Sequence, residues 1–186
     1  MSGIEQRRQN SEEALLVLQA QEGDRAAFRS LVERYDRRLL YFVGRIIDDA
    51  EESYDVVQAV WLHVHRKVKW LRAPQAFRVW LYRIAHDQAI AVLRKRMRQP
   101  VIAEPDIDEC AEVNEPDDAF ESAELVHAAL AGLSIDHRRV LTLRFLEDMS
   151  IEDIAEVVSC SAGTVKSRLH YAKGALRRRI EELTHG

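Results

Sequence analysis

Glycine and proline are scarce in this chain, seven and four among 186 residues, so few turns punctuate it. Apolar residues recur at intervals of three and four, the period of helices, and no segment reads as a convincing strand. Cysteine is scarcer still. Cys110 and Cys160 stand apart with no CxxC spacing and no nearby pair of histidines, which speaks against a disulfide framework or a zinc site. His63 and His65 lie about 200° apart on a helix, too far round to chelate from one face. No apolar run approaches the roughly 20 residues that span a bilayer, and the opening MSGIEQRRQNSEEA lacks the apolar core of a signal peptide. The expectation is therefore a cytoplasmic protein with no membrane insertion. No Ser/His/Asp set, glycine-rich phosphate loop or carboxylate cluster suggests catalysis, and no cofactor or metal is expected.

What the chain does have is 47% hydrophobic residues, ample for a core. The periodicity predicts an all-α protein of two blocks. The first spans residues 11–98, with helices near 12–21, 25–47, 53–70 and 74–97. Asp24 is placed to cap the second of these, and Pro74 suits the first turn of the last. The second block spans residues 121–183, with helices near 121–131, 136–146, 151–158 and 162–182. Between them, residues 99–124 hold ten Asp or Glu, three prolines and no Lys or Arg. This composition reads as a flexible acidic linker, set at 99–120. Removing its ten negative charges from the net charge of -4 leaves about +6 on the two helical blocks together. The global charge conceals two basic modules.

The basic character concentrates near the end. From Ser161 to Ile180 the chain carries Lys166, Arg168, Lys173, Arg177, Arg178 and Arg179 and no carboxylate. The stretch SIEDIAEVVSCSAGTVKSRLHYAKGAL has the grammar of a helix-turn-helix. Ser150 and Asp153 resemble a capping box, and Ile151, Ile154, Ala155 and Val158 give an apolar face. Ser159, Cys160 and Ser161 make the turn, after which Ser161 caps a helix with Val165, Leu169, Ala172 and Leu176 inward. Such turns usually place glycine where Ser159 stands, implying a strain of roughly 1 kcal/mol. Hydroxyls and cations on the remaining faces suit phosphates and base edges in a major groove.

Upstream, Trp61, Trp70, Trp80, Phe77 and Tyr82 are interleaved with lysines and arginines, the mixture that holds single-stranded nucleic acid. The spacing also fits core packing. Trp61 falls in line with Val57, Val64 and Val68, and Phe77 with Leu81 and Ile84. From the residues alone, a duplex-binding regulator would explain the helix-turn-helix, and a helical adaptor would explain the periodicity.

Three segments in order decide between these: DVVQAVW (55–61), FRVWLYRIAHDQAIAVLRKR (77–96) and LTLRFLEDMSIEDIAEVVSCSAGTVKSRLHYAKGALR (141–177). Over residues 12–183 the chain resembles bacterial RNA polymerase sigma factors of the extracytoplasmic-function group of the sigma-70 family. That resemblance implies a transcription initiation factor, not an enzyme, that binds core polymerase, selects promoters and helps melt them. Its implied partners are the clamp helices of the largest polymerase subunit, the flap of the second largest, promoter DNA and an anti-sigma factor. Asp55 and Gln58, with Val57 and Leu62, would meet polymerase. Lys69, Arg72, Arg78, Trp80, Arg83, His86, Arg94 and Lys95 would engage the downstream promoter element, residues 69–75 forming the loop that captures a flipped base. Ser161, Thr164, Lys166, Ser167, Arg168, His170, Tyr171 and Lys173 would read the upstream element.

Overall fold

The computed structural model describes residues 3–98 and 118–185, and most of the acidic stretch, with Cys110, lies outside them. Among the described residues the structure is helical without strands. The first block contains α1 (Gly3–Glu22), α2 (Arg25–Ile47), α3 (Ala50–Lys67) and α4 (Phe77–Arg98), the last two joined through short 3-10 turns at Val68–Trp70 and Pro74–Ala76. The second contains α5 (Asp118–Ala131), α6 (Ile135–Leu141), a π turn at Thr142–Leu146, α7 (Ile151–Val157) and α8 (Ala162–His185).

Helix α2 is the axis of the first block because its apolar residues keep helical period along its whole length. Ala27, Leu31, Tyr35, Leu39, Phe42, Val43, Ile46 and Ile47 are all buried. Each larger side chain of this kind contributes about 1.5–3 kcal/mol by leaving water. Asp24 caps the helix, its Oδ1 accepting from the amides of Ala26 at 2.7 Å and Ala27 at 3.2 Å. Val56, Val57, Val60 and Val64 of α3 close on it from one side, and Phe77, Leu81, Tyr82 and Ala85 of α4 from another. The rings of Tyr35, Phe42 and Tyr82 meet edge to face, with centroids 5.3 Å apart for Phe42 and Tyr82.

In the second block Val140, Leu143, Met149, Ile154, Val157, Val165, Leu169 and Ala172 form the core. The expected helix at 136–146 changes character part-way. Its α form ends at Leu141, and the π turn follows, closed by Glu147 N–H donating to the Thr142 carbonyl at 3.2 Å. This turn buries Leu143, exposes Phe145 and Leu146 and carries Glu147 inward. The two blocks also pack on each other, α4 against α7 and α2 against α6. No helix among the described residues is long and apolar enough to cross a membrane.

Candidate nucleic-acid and polymerase interfaces

The start of α3 is fixed from three directions. Asp49 caps it, accepting from the Glu52 amide at 2.8 Å, and Ser53 donates its hydroxyl to the Asp49 carbonyl. Arg96, from the far end of α4, reaches back to the Ile47 carbonyl at 3.3 Å and the Asp49 carboxylate at 2.9 Å. With the valines inward, Asp55 and Gln58 stand exposed three residues apart, making no hydrogen bond or ion pair among the described residues. Leu62, 59% exposed, continues that face. Val57 does not belong to it. It is buried in the core, because the inward stripe of α3 claims both valines of the pair.

The segment after α3 is tied to α1 by Gln21, whose amide donates to the carbonyls of Val68 at 2.9 Å and Leu71 at 2.7 Å. Those bonds hold an irregular loop in place while leaving Lys69, Trp70 and Arg72 in solvent. Trp70 is 69% exposed, with the Lys67 ammonium 5.1 Å from its ring centroid. Beyond the loop, Phe77 is fully buried and Trp80 is half-buried against it, ring centroids 6.1 Å apart. Arg94 and Lys95 are exposed and without ion pairs among the described residues.

Three other residues of α4 are already engaged. Arg78 donates to the Glu147 carbonyl at 3.1 Å, and Arg83 lies 3.8 Å from the Glu156 carboxylate. His86 is buried, its Nε2 accepting from Arg139 at 2.9 Å and its Nδ1 3.2 Å from Asp87. Burial is the main cause that holds the imidazole below its ordinary pKa, with Asp87 opposing and the Arg139 guanidinium reinforcing. A neutral ring that accepts at Nε2 and donates from Nδ1 satisfies both contacts. The expectation that His86 follows a nucleic-acid backbone is corrected for this conformation, since the ring is covered by α6.

The helix-turn-helix forms as the sequence grammar requires. Ser150 Oγ accepts from the Asp153 amide at 3.0 Å while the Asp153 carboxylate accepts from the Ser150 amide at 3.2 Å. After α7, Ser159 turns the chain left-handed at φ +53°, and the Cys160 amide donates back to the Ala155 carbonyl at 3.0 Å. Ser161 Oγ then accepts from the Thr164 amide at 3.0 Å, opening α8. Val165, Leu169 and Ala172 point inward, and Lys166, Ser167, His170, Tyr171 and Lys173 remain exposed. Thr164 is half-buried beside the cap. Arg168 differs from the expectation of a free base-reader. It is drawn to Asp136, 2.8 Å away, a carboxylate that also holds Arg139 at 2.5 Å.

Two family models match this chain in the same order as these surfaces: sigma-70 region 2 over residues 31–99 and sigma-70 region 4 over residues 123–176. The chain belongs to the sigma-70 family. Among its relatives, the RNA polymerase sigma-H factor of Pseudomonas aeruginosa is 37% identical, the match covering 90% of this chain and 93% of the relative. The ECF RNA polymerase sigma-E factor of Escherichia coli is 33% identical, with 91% and 94% covered. Solved structures share the fold. CnrH in complex with the cytosolic domain of CnrY aligns with a TM-score of 0.67 at 22% identity, covering 91% of this chain and 97% of that one. The Bartonella quintana sigma factor RpoE in complex with the anti-sigma factor NepR also gives 0.67, at 23% identity, covering 83% and 96%.

This is thus an ECF sigma factor, a transcription initiation factor that directs RNA polymerase to promoters and not an enzyme. Its structure adds one residue to those that sequence reasoning selected and singles out another from the aromatics already named. Tyr54 is 61% exposed and lies one turn from Gln58, extending the outer face of α3. Trp70 presents its ring where the loop is open. Its departure from the stripe of Val57, Trp61, Val64 and Val68 was the available signal.

Proposed function

We propose that the three exposed surfaces divide the work of initiation. The face of α3 bearing Asp55, Gln58 and Leu62, extended by Tyr54, grips the clamp helices of the largest polymerase subunit. The loop at 69–75 and α4 capture and open the downstream element, with Trp70 offering a stacking surface and Arg94 and Lys95 counter-charge. Helix α8 enters the major groove of the upstream element, Lys166 and Lys173 meeting phosphate or guanine and Ser161 and Thr164 ordering its N-terminus. The acidic stretch spanning 99–120 joins the two modules and follows the polymerase channel built for RNA, its carboxylates standing in for the transcript. The factor works in the cytoplasm, and an anti-sigma factor restrains it; the similar RpoE of Bartonella quintana is found in complex with the anti-sigma factor NepR.

The observation that carries this reading is the unpartnered face of α3. On a self-sufficient DNA-binding regulator, exposed Asp55 and Gln58 would be ordinary solvated residues, and replacing them would change stability by no more than about 0.5 kcal/mol and function little. On a polymerase subunit, truncating an interface anchor costs about 2 kcal/mol or more, roughly thirtyfold in affinity. The variant Asp55→Ala, Gln58→Ala therefore stays helical by circular dichroism yet loses core polymerase in a pull-down and loses promoter-directed transcription. Full transcription with that face erased would overturn the assignment.

A further inference from the structure

Trp70 stands on the 3-10 turn Val68–Trp70, and one side chain from α1 holds that turn at both ends. The Gln21 Nε2 donates to the Val68 carbonyl at 2.9 Å and to the Leu71 carbonyl at 2.7 Å, bonds that cross 47 and 50 residues of sequence. Both acceptors are carbonyls, so only the NH2 end of the amide can face them, and its two hydrogens serve one each. The Val68 oxygen also accepts from the Leu71 amide at 3.0 Å, which closes the turn. Val68 is buried and Leu71 packs against the core, so the backbone beneath Lys69 and Trp70 is pinned while both side chains face solvent. Gln21 is itself firmly placed. It lies in the last turn of α1, just after the buried Val17 and Ala20, and Gly23 at φ +99° ends the helix. Two backbone bonds close that end, Gly23 N–H to the Ala20 carbonyl at 3.1 Å and Asp24 N–H to the Gln19 carbonyl at 3.0 Å. Helix α1 packs on both 3-10 turns of the loop.

We infer that Gln21 is a positioning residue for base capture, which sets how strictly the loop at 69–75 chooses among bases of the downstream element. The inference rests on the assignment of that loop to a flipped base and deepens it. Trp70 is 69% exposed and has no core to pack against, so its ring is placed by the pinned backbone and by the Lys67 ammonium 5.1 Å from its centroid. With Lys67 over one face of the ring, the opposite face is the one left for a base. Stacking alone accepts any base, because every base has a π face. Choice between bases needs hydrogen-bonding groups at a fixed distance from the stack, and the backbone groups of the loop keep that distance only while the staple holds. A loop that orders itself on binding spends contact energy on the ordering, and support from a neighbouring helix removes that cost. Gln21 also lies outside the sigma-70 region 2 match over residues 31–99, so the loop is set by a residue upstream of the module that carries it.

The test uses the full chain with core polymerase and a duplex library randomised across the length of a promoter, from which the heparin-resistant open complexes are sequenced. Gln21→Met keeps length and packing and removes both donors, whereas Gln21→Glu keeps the shape and turns acceptor oxygens toward the two carbonyls. Trp70→Ala runs beside them. Wild type is expected to prefer one base at one downstream position by about tenfold or more. Both Gln21 variants are expected to cut that ratio at least about threefold and to leave the upstream-element preference as it was. The ratio is read within the opened complexes themselves, so a variant that is merely less stable yields fewer complexes with the same ratio. Circular dichroism that shows lost helix in one Gln21 variant leaves the other to carry the comparison. Unchanged downstream preference in the Gln21 variants, with Trp70→Ala flattening it, would overturn the inference and leave the loop assignment standing. Preference lost at both elements alike, or no open complexes from a folded variant, would overturn it too, since a positioning role acts on selectivity at the loop alone. A Trp70→Ala profile identical to that of wild type would refute the loop assignment itself.

Discussion

Replacing Ser159 with glycine should make this protein more stable, although the change deletes a side chain. Among the described residues three non-glycines have positive φ: Asp48, Asp148 and Ser159. Aspartate enters this region with help from its short polar side chain, whereas an ordinary L-residue bears about 1–2 kcal/mol from crowding of its Cβ. Ser159 is exposed, and the turn is closed by backbone bonds, Val158 N–H to the Ile154 carbonyl at 2.9 Å and Cys160 N–H to the Ala155 carbonyl at 3.0 Å, which glycine keeps. Against the relief stands the greater freedom of glycine in the unfolded chain, about 0.5–1 kcal/mol. The balance is a gain of about 0.5–1 kcal/mol, or roughly 1–4 °C in Tm for a chain of this size. Calorimetry and urea denaturation at unchanged m value measure it. Ser159→Ala keeps the Cβ and should lie within about 0.3 kcal/mol of wild type, separating backbone strain from loss of the hydroxyl. A destabilised glycine variant, or alanine and glycine variants that stabilise equally, would refute the argument.

Further outcomes follow from the other surfaces. Lys166→Ala and Lys173→Ala should each weaken upstream duplex binding and, where the ammonium meets phosphate, reduce the slope of log K against log salt by about 1, whereas an unchanged slope in both would remove α8 from the backbone contact. Trp70→Ala should impair open-complex formation on duplex promoters by about 1–3 kcal/mol and matter much less on a pre-melted bubble that needs no nucleation. Equal loss on both templates would point to a folding defect. Glu147 supplies a pH test. Burial foremost raises its carboxyl above the ordinary 4.5, while Tyr82, Arg38 and Arg78 pull the other way. The folded state therefore holds a proton that the unfolded state has lost between 4.5 and the raised value. Compared with Glu147→Gln in thermal melts, wild type should gain stability as pH falls through that window and level off below 4.5, so a parallel pair of curves would refute the burial argument.

What could be read in the sequence was whatever depends on near neighbours along the chain. Caps at Asp24, Ser150 and Ser161, the helix-turn-helix, the strained position at Ser159 and the burial of Phe77 are each decided within a turn or two, and the structure has all of them. Helix type is similarly local, except where α6 passes into the π turn; there Arg144 donates to the Met149 carbonyl at 2.7 Å across a bend that period alone does not announce. The site residues divide along the same line. Asp55, Gln58, Lys166 and Lys173 were recognisable as surface because the stripes beside them are apolar and regular. Val57 was misplaced because a pair of adjacent valines offers two candidates for one inward position, and here both are inward. His86 and Arg168 were misplaced for a different reason. A charged or titratable residue on a helix face gives no sign of whether water or a distant partner will answer it, and their partners, Arg139 and Asp136, lie in another helix, 53 residues from His86 in the first case. The same long-range pairing makes the packing of the second block on the first invisible to local reasoning. Glu147, between Leu146 and Asp148, looks like a solvated carboxylate until Arg38, 109 residues away in sequence, closes over it. Charge that reads as an interaction surface in the sequence is thereby spent on an internal contact, so a cation on a helix face is assigned to DNA only after the fold has shown what it meets.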